Sequence, residues 1–127
     1  SFANAEYFKD FILESEQEGR DIRVVIIDGT SINDLDTTAV EALQSVSETL
    51  EDRGIELYFT GLIGPMREVV VRSGLRDTLG DDHFHMDPHE AVMHILEAWD
   101  AQDDRERVSA YFEKTEAQSE QSTPAAS

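Results

Sequence analysis

Apolar residues along the chain change repeatedly between the spacing of a helix and the continuous runs of a buried strand. A first helix begins after Asn4, whose side chain suits an N-cap, and ends near Gly19. Its apolar face is formed by four residues at helical spacing: Tyr7, Phe8, Phe11 and Ile12. Residues 22–27 follow as a β-branched run without polar alternation, which predicts a central strand covered on both faces.

A second helix and a second strand follow. Apolar positions between residues 37 and 53 predict a helix that stops at Gly54, and residues 55–60 predict a strand. Pro65 then opens a short helix, because its missing N–H would have no partner in a first turn. This helix ends at Gly74, where glycine can adopt the left-handed cap conformation.

The remaining elements complete an alternation of strands and helices. Phe84 marks a short third strand, and Pro88 opens a helix that continues to Trp99. Strands that alternate with helices are typical of βαβ units, whose right-handed crossovers place helices against a parallel sheet. The pattern therefore predicts an α/β fold with a mostly parallel sheet flanked by helices.

The chain has room for one such domain. We expect it to occupy residues 1–100, and residues 101–127 to form an acidic C-terminal extension that is disordered from about residue 115, where large apolar side chains are absent. Because the chain enters a helix almost at once and then supplies only three strands, we expect one or more N-terminal strands of the sheet to precede Ser1.

Charge and composition exclude several classes of function. The 10 basic and 28 acidic residues give a net charge of −18, which repels nucleic acid and anionic membrane surfaces. The absence of cysteine excludes disulfides, thiolate metal sites and thiol nucleophiles. No apolar stretch approaches the roughly 20 residues of a membrane span, so we expect no insertion of this domain into a membrane.

The candidate chemistry lies where the second helix begins. Asp36, Thr37 and Thr38 open this helix, and three interpretations of the threonines stay open: capping, anion binding, or phosphorylation. No nucleophile with a base and no phosphate-binding glycine loop accompanies them, so the sequence predicts neither catalytic residues nor a cofactor. We expect Arg67 and Arg72 to pair with surface carboxylates. Four histidines fit a polar surface better than a metal site: His83, His85, His89 and His94.

Three motifs in fixed order carry a family resemblance. Asp36-Thr37-Thr38-Ala39 at the helix start, followed by GIELYFTGLIGPMREVVVRSGL, resembles the STAS domain shared by sulfate transporters and anti-sigma-factor antagonists. The segment FANAEYF near the N-terminus resembles SulP-type anion transporters in particular. The resemblance covers about residues 2–99. Thr37 and Ala39 stand where the bacterial antagonists usually carry serine and glycine.

The resemblance implies a STAS-like fold and a function by contact. It indicates a regulatory, non-catalytic domain on the cytoplasmic face of a SulP-family secondary anion transporter for sulfate, bicarbonate or a dicarboxylate. Expected partners are the transmembrane domain of the same transporter, a second protomer in a homodimer, and a soluble regulatory protein. The alternative is a freestanding antagonist-like phospho-switch, in which Thr37 takes the position of the phosphorylated serine.

Two sets of residues are the candidate site. The regulatory helix start consists of Thr37 with the neighbouring Asp34, Asp36 and Thr38. The expected partner surface follows the carboxyl ends of the strands, where sites collect in α/β sheets: Gly29, Thr30, Asn33, Gly61, Leu62 and Ile63.

Overall fold

The computed structural model describes the backbone of residues 5–32 and 36–122 and the side chains of residues 9–32 and 36–120. The chain forms two compact units, residues 1–91 and residues 92–127. The predicted N-cap Asn4 and the apolar side chains of Tyr7 and Phe8 lie outside the described residues.

The first half of the chain contains two helices and two strands. In order they are α1 (Ala5–Gln17), β1 (Val24–Asp28), α2 (Thr37–Asp52) and β2 (Glu56–Thr60). A single 3-10 turn, Gly29–Ser31, follows β1 directly. These elements agree with the predicted ones to within two residues at the described ends.

The second half contains α3 (Gly64–Arg72), α4 (Leu75–Leu79), β3 (Phe84–His85) and α5 (Pro88–Ser122). Helix α4 has no counterpart in the prediction, since five residues are too few for a periodic apolar pattern. Gly74 separates α3 from α4 with a φ of 82°, the left-handed conformation predicted for it, and Leu75 behind it is buried.

The described strands form one parallel sheet in the order β1-β2-β3. Asp28, Thr60 and His85 are in register across it, so the carboxyl ends of all three strands lie at one edge. The predicted parallel sheet flanked by helices is confirmed.

The core lies between one face of the sheet and the helices of the first unit. The sheet contributes Ile27, Leu57 and Phe59, and the helices contribute Ile12, Leu43, Val46, Leu50, Val70 and Leu75. Phe59 is fully buried, and its ring stacks on that of Phe84 in the neighbouring strand at a centroid distance of 5.4 Å. The core on one face of the sheet and Phe84 of the neighbouring strand therefore both fix β2, from whose carboxyl end the loop to α3 begins.

Helix α5 is longer than predicted. Asp87 caps it by accepting a hydrogen bond from the Glu90 amide at 2.9 Å, and the helix then continues to Ser122. Residues 115–122, for which the sequence predicts disorder, are therefore helical in the structure. The difference has a local cause, because two glutamates, two glutamines and one alanine make up five of the eight residues of this segment and favour a helix without any core contact. Every residue from 100 to 120 is exposed.

Candidate functional site

A tight turn ends β1. Asp28 accepts two hydrogen bonds from Thr30, one from its hydroxyl at 2.6 Å and one from its amide at 3.0 Å, and Ser31 donates its hydroxyl to the Asp28 carbonyl at 2.7 Å. The Thr30 hydroxyl, and then the Thr30 amide, hold the pKa of the Asp28 carboxyl below its usual value, since both donors favour the ionised form. Asp28 is therefore an ionised cap at neutral pH.

The turn after β1 and the loop after β2 are interlocked. A Cβ on Gly29 would lie 2.6 Å from the Thr60 carbonyl oxygen and 2.8 Å from Leu62 Cδ2. In return, a Cβ on Gly61 would lie 2.7 Å from Thr30 Cγ2, and Gly61 has a φ of 67° that favours glycine. The two glycines thus let the loops approach within van der Waals contact.

This packing divides the expected partner surface. Gly29 and Leu62 are buried. These two residues therefore pack the two loops against each other and are not accessible to a partner. Thr30 is exposed, and Ile63 is 67% exposed, which is unusual for a large apolar side chain. Asn33, with Asp34 of the helix start, lies outside the described residues. The assignment of these positions to a partner surface stays a prediction.

The start of α2 carries a side-chain cap. The Asp36 carboxylate accepts a hydrogen bond from the Ala39 amide at 2.8 Å, which satisfies one of the free donors of the first turn. Thr37 and Thr38 occupy the first turn and are exposed. The capping role is therefore filled by Asp36, and the hydroxyl of Thr37 is accessible from solvent.

An arginine from α3 reaches the same surface as Thr37. Arg72 and Thr37 both line a shallow groove of about 600 Å³ between α2 and α3. The Gln44 amide donates to the Ser73 carbonyl at 3.2 Å and connects the two helices beside this groove. Sequence reasoning missed this arginine because 35 positions separate it from Thr37, and only the packing of α3 on α2 brings them together.

The expected ion pairs of Arg67 and Arg72 are not found. Neither guanidinium pairs with a carboxylate in the described part of the chain. Both residues lie on the exposed surface of α3, where Glu68 is the one acidic residue. Two cations are thus available on the surface of a strongly acidic protein.

His83, just before β3, and His85, within β3, take part in local packing. His83 hydrogen-bonds the Leu57 carbonyl through Nδ1 at 2.7 Å, and its ring stacks on Tyr58 at a centroid distance of 4.2 Å. His85 Nε2 lies 2.6 Å from the Asp82 carbonyl oxygen. Burial raises the pKa of Tyr58 to about 12, with the nearby charges of Glu56 and Asp82 as smaller causes. His89 is exposed on α5.

Neither a metal centre nor a membrane span is found in the part of the chain that the structure describes. No three of its histidine, aspartate and glutamate side chains are arranged to hold an ion. Among its helices, none combines the length and the apolar character needed to cross a membrane.

Comparison with known proteins gives a family with the α/β fold described above. The STAS domain family matches residues 1–91. A probable sulfate transporter 3.4 from Arabidopsis thaliana is 27% identical over 79% of this chain, and a probable sulfate transporter 4.2 from the same plant is 33% identical over 72%. The chain spans only 17% and 15% of the lengths of these two relatives.

A solved structure shows the same fold. The STAS domain of a SulP transporter from Vibrio cholerae superposes with a TM-score of 0.65 at 21% identity, covering 76% of this chain and 73% of that domain. The chain belongs to the STAS domain family, and the resemblance to the STAS domains of SulP-type sulfate transporters is confirmed.

Proposed function

We propose that this chain is the cytoplasmic regulatory and protein-interaction domain of a SulP-family secondary anion transporter, without catalytic activity of its own. The observation that carries the proposal is its similarity to plant sulfate transporters over most of its own length but less than a fifth of theirs. A segment of this size corresponds to one domain, so transport belongs to the rest of such a protein. Sulfate, bicarbonate or a dicarboxylate is the proposed class of anion.

The proposed mechanism is contact at the edge where the strands end. The apolar side chain of Ile63 and the exposed Thr30 and Thr37 lie in the segments that follow β1 and β2. An exposed apolar residue beside polar loop residues suits a partner surface. The proposed partners are the transmembrane domain of the same protein, a second protomer and a soluble regulator.

The side chains at this edge support a role without catalysis. Asp28 and Asp36 both accept hydrogen bonds from backbone amides in turns. Asp28 is kept ionised, so its carboxyl is not held protonated as a general acid must be. His83 Nδ1 and His85 Nε2 lie against backbone carbonyl oxygens, those of Leu57 and Asp82, and not against a hydroxyl that these two nitrogens could activate as a nucleophile.

The test is the length and character of the complete gene product. Translation upstream of Ser1 should give several hydrophobic spans of about 20 residues, and the expressed protein should sediment with membranes. A start codon shortly before Ser1, with the product in the soluble fraction, would exclude the transporter and leave the freestanding antagonist.

A phospho-switch at Thr37 is the second candidate, and Arg72 is the observation that favours it. A phosphate on Thr37 would meet the free amides of the α2 N-terminus and would share its groove with the Arg72 guanidinium. The added charge of about −1.5 to −2 would make this groove, which Asp36 and Glu41 line together with Arg72, more strongly negative. The switch is compatible with both a transporter domain and a freestanding protein.

A further inference from the structure

Carboxylates outnumber their possible partners in the first unit. Residues 1–91 contain 20 acidic and 7 basic residues, which gives this unit a net charge of −13. At least 13 of its carboxylates therefore have no cation of their own. A net charge of magnitude about 2–8 is sufficient to keep a small domain soluble, and a larger one destabilises the compact state by self-repulsion. Solubility alone thus does not account for this charge.

Like charges lie one turn apart on α1 and on α2. Asp10 and Glu14 are i,i+4 neighbours on α1, and Glu48 and Asp52 are i,i+4 neighbours on α2. All four side chains are exposed, and none of them forms an ion pair within the described residues. Like charges at this spacing destabilise a helix. Both helices are therefore held together against repulsion along their own surfaces.

The carboxyl ends of the same helices are acidic as well. Neither α1 nor α2 has a basic residue in its last turn, where a cation would meet the partial negative charge of the helix dipole. Glu14 and Glu16 lie in the last turn of α1, and Glu51 and Asp52 lie in that of α2. Arg53 follows α2 and pairs with Glu16. The remaining carboxylates at these ends cost stability unless ions of the medium screen them.

Salt at an ordinary concentration screens these contacts only in part. Side chains one helical turn apart are about 5–6 Å from each other at their Cβ atoms. The Debye length is about 8 Å at roughly 0.15 M ionic strength and about 3 Å at roughly 1 M. Neighbouring carboxylates therefore still repel each other at the lower concentration, and this repulsion becomes small only near molar salt.

The acidic residues are spread over the exposed surface. They occur on α1, on α2, in the turn before β3 and along α5. A protein partner with one basic surface would cover only part of them, whereas small cations of the medium can reach all of them. The spread therefore favours screening by salt over a single basic partner as the reason for the charge.

We propose that the first unit is adapted to high ionic strength, and that it reaches its full stability only when monovalent cations at about molar concentration screen the carboxylates of α1 and α2. Its stability then responds to the salt concentration of its surroundings, because dilution strengthens the repulsion within the fold. The proposal does not depend on whether the chain is a transporter domain or a freestanding protein.

Urea denaturation of the full chain at several KCl concentrations tests the proposal. The amide resonances of β2 report on the first unit, because β2 is the central strand of its sheet. We expect the equilibrium constant of unfolding to fall at least about tenfold between about 0.15 M and about 1 M KCl, since the Debye length drops below the spacing of the carboxylates over this range.

Two variants with the same change in net charge separate neighbouring carboxylates from other effects. D10N/E48Q removes one carboxylate from each i,i+4 pair, so it should be more stable than the unmodified chain at the lower salt concentration and should depend less on salt. E18Q/D81N is the matched control, because its two carboxylates are paired with Arg20 and Arg76. It should not be more stable than the unmodified chain at the lower salt concentration.

The comparison of variants also removes the general effect of KCl on apolar burial, which acts equally on all three proteins. An equilibrium constant of unfolding that stays unchanged or rises between the two salt concentrations would overturn the proposal. Equal stability of D10N/E48Q and the unmodified chain at the lower concentration would also overturn it, because neighbouring carboxylates would then not be the cause.

Discussion

Replacing Gly29 with alanine should test how the strand-end loops hold the candidate site. The added Cβ would lie 2.6 Å from the Thr60 carbonyl oxygen, and real Cβ contacts essentially never fall below 3.0 Å. The loops must therefore separate by at least 0.4 Å. Thr60 cannot easily move, because it is 1% exposed and lies in the central strand between β1 and β3. We expect a loss of about 1–3 kcal/mol in the free energy of unfolding, as for other overpacked sites.

Urea denaturation followed by circular dichroism measures this loss. Ser31→Ala is the matched control, since it changes an exposed residue of the same turn and removes one solvent-accessible hydrogen bond to Asp28. It should cost less than about 1 kcal/mol. Amide resonances of residues 60–62 should shift in Gly29→Ala and not in the control. If the free energy of unfolding of Gly29→Ala equals that of the unmodified protein within error, the two loops do not pack as closely at Gly29 as described.

Three further outcomes follow from the same geometry. Asp36→Ala should lower the free energy of unfolding by about 0.5–2 kcal/mol, because the hydrogen bond to the Ala39 amide is lost. Asp36→Ser should restore most of the lost stability. Equal stability of all three proteins would argue against the cap. The pKa of Tyr58 is raised from 10.0 to about 12, so its contribution to stability is complete below pH 10 and is lost as the pH rises towards 12. Tyr58→Phe should abolish this decline in urea titrations; an unchanged decline would assign it to other groups. Intact-mass analysis of protein from its native cells should show a phosphorylated fraction that Thr37→Ala removes; an unmodified mass under all growth conditions would exclude the switch.

The sequence predicts most of the sheet and of its flanking helices because those elements follow from local patterns. The apolar run before Asp28 and the periodic residues of α2 are strong signals over five or more residues, and Gly74 is required by its left-handed conformation. Helix α4 is too short for such a signal. The far end of α5 has no core contacts and follows from helix propensity. A prediction based on the absence of large apolar side chains therefore gives a helix that is too short.

The candidate site is less predictable because it depends on contacts between distant segments. Asp36 as a helix cap is visible in the sequence, since the cap lies three residues from the amide it binds. The neighbourhood of Thr37 and Arg72 requires the packing of α3 on α2. The burial of Gly29 and Leu62 likewise requires the two loops to meet, and neither loop carries a pattern that specifies the other.

Anion uptake by the complete gene product tests the proposed function most directly. The full-length protein, expressed in cells that lack their own sulfate uptake, should transport sulfate, bicarbonate or a dicarboxylate. Ile63→Glu should alter this uptake without changing the amount of protein in the membrane, because it places a charge on the exposed apolar residue of the strand-end edge. Leu13→Glu, at an exposed apolar position of α1, should leave uptake unchanged. Absence of uptake for all three anions would contradict the transporter, and equal uptake by Ile63→Glu and the unmodified protein would contradict regulation through this edge.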